Sequence, residues 1–311
     1  MNTKLKGNII LFITAIIWGM SFVSQSVGME YIEPNTFMGI RTLMGGVVLL
    51  PVIFILDKGK KKQGAYRPTN MKKLLKYGII CGLFLCIAQT LQTYGLQTTT
   101  TAKSGFLTAL YIIFVAIIGL FVGKKLTGKM VIGIITAVVG MYFLCLFGES
   151  VSFNAGDGLT ILCAVFFAGQ ILCIDKFVAD IDGLKLSCTQ FLTAGVINVI
   201  LMFILETPNM ENILACSTAL LYSGIMSCGV AYTLQVIGQK YADPTSASII
   251  MSLESVFAAV SGWIILSQKM SLSQIAGCVL MFAAIVLVQL PEKREILKAT
   301  NHTGIEKIDS E

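Results

Sequence analysis

Two charged side chains stand deep inside long apolar stretches of this chain. Glu254 lies eight residues past Ser246, about 12 Å along a helix, and Arg41 lies about 9 Å past Asn35. A charge near mid-membrane costs roughly 2.5–3.5 kcal/mol on insertion scales, so such groups usually face a cavity. A carboxylate there can bind a substrate ammonium group or a proton. A guanidinium can bind a carboxylate or phosphate through its planar fork.

Each charge also has a purely structural interpretation. Glu254 would be structural if it were protonated and hydrogen-bonded between helices. Arg41 would be structural if it capped backbone carbonyls or paired with an acid. An unpaired guanidinium in this layer is costly, so we expect an acid, a carbonyl or a ligand against Arg41.

Uncharged polar and aromatic side chains inside the apolar runs are further candidates for lining a binding site. The residues that we select are Trp18, Gln92, Tyr94, Tyr111, Tyr232 and Gln235. Other amides also fall inside apolar runs, namely Gln89, Gln170, Gln190 and Asn198. Some of these groups serve only as hydrogen bonds between helices, and plain packing is an equal alternative for the aromatic rings.

The residues needed for catalysis or metal binding are largely missing from the apolar part of the sequence. The single histidine, His302, follows the last apolar run, and the nine cysteines contain no CxxC pair. Glu254 has no second carboxylate nearby in sequence with which to share acid–base work. We therefore expect no enzyme activity, no catalytic residues, no metal and no cofactor.

The elements that hold these residues are long apolar helices. The chain is 55% hydrophobic and 13% charged, with mean hydropathy +0.81, unlike an ordinary soluble domain. Spanning a bilayer takes about 20 apolar residues in a helix. Ten windows qualify: 9–27, 35–56, 77–96, 104–122, 130–147, 158–178, 187–205, 217–237, 246–266 and 272–290. The prediction is an all-α integral membrane protein with ten transmembrane helices.

Basic residues between the runs predict the orientation. Of 23 lysines and arginines, only Lys103 and Lys269 fall in segments on the outer side if the N-terminus is inside, and Arg41 is within a helix. The positive-inside rule then puts both termini in the cytoplasm of a multi-pass protein, which we expect in the plasma membrane. The basic residues sit in short loops, so we expect membrane lipid and no nucleic acid as a partner. Whether the protein is a monomer or a homodimer stays open.

The second half of the sequence repeats the first. Thr90-Leu-Gln92 matches Thr233-Leu-Gln235, and the same register pairs Tyr111 with Glu254. Further matched pairs are Gly95 and Gly238, Leu110 and Leu253, Gly133 and Gly277, and, more weakly, Arg41-Thr-Leu-Met-Gly-Gly46 and Gln190-Phe-Leu-Thr-Ala-Gly195. Five helices per half is an odd number, so the halves must enter the membrane in opposite senses. We expect a 5+5 inverted repeat, with residues 1–147 and 156–290 as its units and 291–311 as a polar cytoplasmic tail.

The residues also carry a family resemblance. The chain resembles an EamA-type member of the drug/metabolite transporter superfamily over nearly its whole length. The matching stretches are Ala15–Phe22, Phe37–Thr42, Ser252–Trp263 and Gln274–Gly277. The resemblance implies ten helices, two EamA repeats, and export or exchange of small metabolites. Ser255 stands where the family often has a proline in the ninth helix, which removes the usual cause of a kink there.

These observations together predict a secondary-active transporter with a central small-molecule site between the two repeats. Export of small metabolites such as amino acids, by alternating access, is the first interpretation. An efflux carrier for drugs or other organic cations is the alternative. A channel or a structural membrane protein ranks lower, because an inverted repeat is typical of carriers.

Overall fold

The computed structural model describes residues 3–66, 68–99, 101–148, 153–265 and 270–289. In these residues all regular secondary structure is helical. We number the apolar helices in chain order: α1 Thr3–Met29, α2 Pro34–Lys62, α3 Met71–Leu96, α4 Thr101–Ala109 with Tyr111–Phe121, α5 Gly128–Cys145, α6 Ala155–Phe177, α7 Gly183–Leu205, α8 Ser217–Gln239, α9 Pro244–Met251 with Glu254–Ile265, and α10 Leu272–Gln289. A short helix, Met210–Ala215, precedes α8.

Most of these helices are long enough to cross a bilayer. Within the described residues, α1 to α9 meet the length and hydropathy expected of membrane spans, and α10 provides a shorter apolar helix over Leu272–Val288. The all-helical prediction is confirmed, whereas ten membrane crossings stay a prediction. The expected tail, 291–311, lies outside the described residues. The basic segment 57–76 is partly helical, because α2 continues to Lys62 and α3 already begins at Met71.

Side-chain caps fix several helix starts. Asp243 accepts a hydrogen bond from the backbone N–H of Ser246 at 2.9 Å, and Pro244 takes the first helical position. Asn154 and Asp157 form a reciprocal capping box at the start of α6. Asp182 accepts from the N–H groups of Leu184 and Lys185 at the start of α7. These caps satisfy donors that the first helical turn leaves without partners.

Helices α4 and α9 are both interrupted at matched positions of the repeat. The interruption in α4 falls at Leu110, whose N–H bonds to the Leu107 carbonyl three residues back, at 3.3 Å. In α9 it falls at Ser252 and Leu253, and the helix resumes at Glu254. The interruption arises without a proline. The Ser252 hydroxyl donates to the Ile249 carbonyl at 2.7 Å, a side-chain bond of the kind that bends helices.

The closest helix pairs are packed at glycines. At the crossing of α2 and α7, a Cβ on Gly46 would lie 2.9 Å from the Leu192 side chain, and one on Gly195 would lie 2.7 Å from the Leu43 backbone. Where α5 crosses α10, a Cβ on Gly140 would approach the Gly277 carbonyl oxygen to 2.9 Å. No larger residue fits these positions without moving a neighbour, because close approach of two backbones needs the missing Cβ.

The remaining contacts enclose a central space. Helix α3 packs on α6 and α7, while α1 packs on α8 and α9, and α4 packs on α6. Helix α8 contains a π-helical stretch, Tyr222–Ala231, which faces α1 and α2. The space between these helices is where the candidate site lies.

Candidate functional site

A buried cavity at mid-depth brings together most of the residues selected from the sequence. Seven of the eight line it: Trp18, Arg41, Gln92, Tyr111, Tyr232, Gln235 and Glu254. Its other lining residues are Ser21, Phe22, Gln25, Met38, Gln89, Thr108, Phe167, Gln170, Ile171, Ser227 and Met251. The cavity offers about 50 Å³ to the centres of water-sized molecules. That is room for several waters, which polar walls can hold.

Tyr94 is the one selected residue that lies elsewhere. Its hydroxyl accepts a hydrogen bond from the Asn35 side-chain amide at 2.6 Å, next to Glu206. Tyr94 therefore does not line the central cavity, and its role in substrate binding stays a prediction. Tyr94 lies near the end of α3, where the polar contacts tie helix ends together instead of facing the central space. We call this end of the bundle the Glu206 end, and the opposite end, around the start of α7, the Asp182 end.

Glu254 lies at the break in α9 and faces its repeat counterpart. The side chain is 9% exposed, and the Tyr111 hydroxyl donates to its Oε1 at 3.4 Å. Because Tyr111 follows the matching break in α4, the two interruptions place both side chains against each other. Glu254 is thus reachable from the cavity and has one neutral partner among the described residues.

Arg41 has no acidic partner in the part of the chain that the structure describes. Its Nε donates to Cys228 Sγ at 3.4 Å, its Nη2 lies 3.5 Å from Ser227 Oγ, and the guanidinium stands 5.7 Å from the Phe37 ring centre. Nη1 is buried without a hydrogen-bond partner among these residues. The expected acid or carbonyl is absent there; a thiol, a hydroxyl and an aromatic ring take its place. The charge therefore keeps unused donor capacity.

A second pair of repeat counterparts meets in the same cavity. Gln89 corresponds to Tyr232, and its amide donates to the Tyr232 hydroxyl at 3.2 Å. The Trp18 ring packs edge-on against Tyr232 with 4.5 Å between ring centres. Trp18 Nε1 and Gln89 Oε1 have no hydrogen-bond partner among the described residues. One donor and one acceptor are thus available beside Arg41 and Glu254.

A chain of amides continues from the cavity towards the Asp182 end. Gln235 donates to Gln170 at 3.3 Å, and Gln170 donates to Gln190, also at 3.3 Å. Further on, the Gln239 amide bonds to the Ile171 carbonyl at 3.0 Å. Gln92 instead donates to the Thr108 hydroxyl at 3.0 Å. The selected pair of glutamines thus lines the cavity, with Gln235 also forming part of a layer that closes one side of it.

The cavity extends away from that layer. Phe22 and Gln25 of α1 line both the central cavity and an adjoining one with Ser26, Met29, Glu30 and Leu96. The Asp182 side is closed by buried apolar residues: Leu74, Ile174, Val178, Ile181, Leu186 and Val236. The structure thus shows a chamber that reaches towards the Glu206 end and is sealed at the Asp182 end.

Several lining residues escaped the selection from sequence. Ser21, Gln25 and Thr108 are small or common polar residues that occur throughout apolar helices. Gln89 could have been identified as a lining residue from the repeat, because its counterpart is Tyr232, one of the selected residues. Periodicity could not separate the others, since lipid-facing and cavity-facing sides of these helices are both largely apolar.

Several known proteins are similar to this chain. An uncharacterized transporter of Archaeoglobus fulgidus is 28% identical over 92% of this chain and 87% of its own length. The uncharacterized transporter YoaV of Bacillus subtilis is 24% identical over 88% of this chain and 92% of its own. A crystal structure with 16% identity superposes with a TM-score of 0.74, over 92% of this chain and 98% of that one. At this identity the superposition shows a shared fold and nothing more.

The family is shown by a direct match to its sequence model. The model of the EamA-like transporter family matches residues 5–146 and again residues 154–290. The two matches together take in nearly all of the chain, and the resemblance noted in the sequence is confirmed. The protein is thus a multi-span membrane protein, and it belongs to the EamA-like transporter family.

Proposed function

We propose that the protein is a secondary-active exporter of small zwitterionic metabolites such as amino acids, working by alternating access at the central cavity. One observation carries this proposal. The cavity offers a guanidinium with a free donor, Arg41, and a single carboxyl group, Glu254. Such a pair complements a substrate that carries both a carboxylate and an ammonium group.

The proposed inverted repeat, with its axis through the cavity, supports alternating access. If a two-fold axis relates the two halves, a contact between two residues must recur between their repeat counterparts. Gly46 packs against Leu192, and their counterparts, Gly195 and Leu43, pack against each other as well. Residues on the axis must meet their own counterparts, as Tyr111 meets Glu254 and Gln89 meets Tyr232. A site on the axis can be reached alternately from both sides when the halves rock.

We place the protein in the plasma membrane, with its Asp182 end facing the cytoplasm. The support is the lysine-rich segment 57–76 at that end, together with the positive-inside rule. Impermeant maleimide applied to intact cells tests it. Single cysteines placed in segment 57–76 should stay unlabelled until the membrane is permeabilised, and labelling of intact cells there would contradict the orientation.

Efflux of organic cations is the second candidate. It is favoured by Glu254 lying in one chamber with the rings of Trp18, Tyr111 and Tyr232, because aromatic faces and a carboxylate suit a cation. Arg41 counts against it, since a like charge in a small cavity repels a purely cationic substrate. We therefore rank it below the zwitterion carrier.

Counterflow in proteoliposomes tests the proposal. Vesicles loaded with a mixture of unlabelled amino acids should take up a trace of labelled amino acid transiently and saturably. Vesicles loaded with tetraphenylphosphonium should not drive that uptake. Uptake of the cation alone would favour the alternative, and no counterflow with either class would overturn the carrier proposal for these substrates.

Variants of similar size at Glu254 and Arg41 test which end of the substrate each residue binds. Glu254→Gln should abolish pH-dependent uphill transport while the protein stays folded, because the amide can neither carry a proton nor balance an ammonium group. Arg41→Lys should lower transport at least tenfold, because it keeps the charge but loses the planar fork. Glu33→Gln, on an exposed loop, is the matched control and should behave as wild type. A wild-type pH response in Glu254→Gln would exclude the coupling role.

A further inference from the structure

A third, larger pocket opens at the Asp182 end and shares no residue with the central cavity. It offers about 430 Å³ to the centres of water-sized molecules, a volume within the range of small-molecule sites. Its walls are Asp57, Lys60, Ala65, Tyr66, Pro68, Thr69, Asn70, Lys73, Ala179, Asp180, Ile181, Asp182, Lys185 and Lys240. The apolar cluster around Ile181, Leu186 and Val236 lies near it and belongs to the seal described above. We call this space the Asp182-end pocket.

Four lysines and three aspartates line the pocket, and each aspartate already forms an ion pair with one of the lysines. Lys60 pairs with Asp182 at 3.0 Å, and Lys73 pairs with Asp180 at 3.4 Å. Lys185 pairs with Asp57 at 2.7 Å and also donates to Thr69 at 3.0 Å. An arriving cation would find no unoccupied acid here.

The fourth lysine, Lys240, differs from the others in its ion pairing. Lys240 is exposed and makes no ion pair with any residue that the structure describes. Lys185 is also held by an aromatic ring, because its ammonium stands 5.5 Å from the Tyr66 ring centre. An anion entering the pocket therefore meets one lysine without an ion pair beside three lysines that are paired with aspartates.

The existing ion pairs are weak enough to be exchanged. The side chains of Lys60 and Asp182 are 45% and 32% exposed, and those of Lys73 and Asp180 are 52% and 51% exposed. Exposed pairs of this kind contribute little to stability, because water screens them. An oxyanion with two or three charged oxygens can bond several lysines at once, which one aspartate cannot do.

We propose that the Asp182-end pocket is a binding site for a phosphoryl group, which takes Lys240 and competes with Asp180 and Asp182 for Lys73 and Lys60. A free phosphate compound or the headgroup of an anionic lipid would supply the same chemistry. The pocket lies where the ends of α2, α3, α7 and α8 converge, so occupancy loosens the contacts that hold α2 and α3 to the segment before α7.

Lysine footprinting on the purified full-length protein tests the site. Acetylation rates of individual lysines are read by mass spectrometry in neutral detergent, with inorganic phosphate against chloride at equal ionic strength. The same reading is made in nanodiscs with or without phosphatidylglycerol. Phosphate or the anionic lipid should slow modification of Lys60, Lys73 and Lys240 at least threefold and leave Lys124, outside the pocket, unchanged. Protection by the lipid alone identifies a headgroup as the source, and protection by neither overturns the proposal.

Two matched aspartate variants distinguish specific binding in the pocket from a general effect of surface charge. Asp180→Asn releases Lys73 inside the pocket and should tighten phosphate binding about threefold or more. Asp175→Asn removes the same charge from the ion pair with Lys124 at the same end, outside the pocket, and should leave binding unchanged. Equal tightening in both variants would overturn the site, because only the overall charge would then matter.

Discussion

The two ends of the α2–α7 pair hold equivalent carboxylates in different ways. Glu206, at the end of α7, accepts from both N–H groups and both side chains of Asn35 and Thr36, at 2.6–2.8 Å. Its repeat counterpart at the other end of the bundle is Asp57, near the end of α2, which pairs with Lys185. Lys185 is in turn the counterpart of Thr36. The same place in the fold is therefore a helix cap at one end and a lysine ion pair at the other.

The difference suggests which end yields more easily. A carboxylate that receives four hydrogen bonds from the start of a helix is bound to groups that cannot move without unwinding the helix. A lysine is a flexible point charge, and it can leave an aspartate for another anion. We therefore expect the Glu206 end of this pair to act as a fixed clamp and the Asp182 end to act as a reversible latch.

The largest effect is expected at the clamp. Glu206→Ala removes four charge-assisted hydrogen bonds and exposes the first N–H groups of α2, so the free energy of unfolding should fall by about 2–4 kcal/mol. Denaturant titration of the detergent-solubilised protein measures it. Glu211→Ala, which alters another acid near the same end of the bundle, is the control and should cost much less. Equal losses would show that Glu206 is no clamp.

A smaller effect is expected at the latch. A double-mutant cycle of Asp57→Asn with Lys185→Gln should give a coupling energy of about 1 kcal/mol, since this pair is mostly buried. The same cycle on Lys60 and Asp182 should give less than about 0.5 kcal/mol, since that pair is exposed. The distinction between the two ends would be lost if the coupling energy of Asp57 and Lys185 were as large as the fall in unfolding free energy caused by Glu206→Ala.

The smallest effect is the response of the latch to acid. Burial raises the pKa of the Asp182 carboxyl, but the hydrogen bond and charge of Lys60, with the N–H groups of Lys185 and Leu184, outweigh it and hold the pKa below its usual value. Asp57 also faces Lys60. A lowered folded-state pKa stabilises the protein above the unfolded pKa of about 3.9, and this contribution is lost as the pH falls through the folded value.

Melting temperatures of wild type and Asp182→Asn between pH 6 and pH 3 measure this contribution. Asparagine keeps the cap on α7 but cannot pair with Lys60 as a charge. The two proteins should differ by a degree or two at pH 6, and the difference should begin to shrink only as the pH falls below about 4. A constant difference across the range would show that the charge of Asp182 contributes nothing.

The regularities of the sequence predicted more than its individual side chains did. The repeat register pairs Tyr111 with Glu254, and both residues line the cavity. Tyr94 satisfied the same description as Tyr111, an aromatic residue in an apolar run, yet it bonds to Asn35 at a helix end. No pattern separated them, because apolar surface covers both the lipid side and the inner side of each helix.

The interruption in α9 shows a second limit. The absence of proline at Ser255 argued against a kink, whereas the helix is interrupted just before it by serine bonds to the backbone. Such bonds depend on the side-chain rotamer, which a sequence does not specify. The corresponding break at Leu110 has no distinctive residue at all.

The sequence by itself determined the class of the protein: long apolar runs require helices in lipid, because backbone groups there must bond within their own segment. It also determined the repeat, the lysine-rich segments and the scarcity of charge within the spans. Only the tertiary structure decided that Arg41 has no acid beside it among the described residues, that Gln89 meets Tyr232, and that Glu206 and Asp57 close their ends by different chemistry. Those outcomes depend on which faces of separate helices meet, and distances across helices are set by packing that local sequence does not encode.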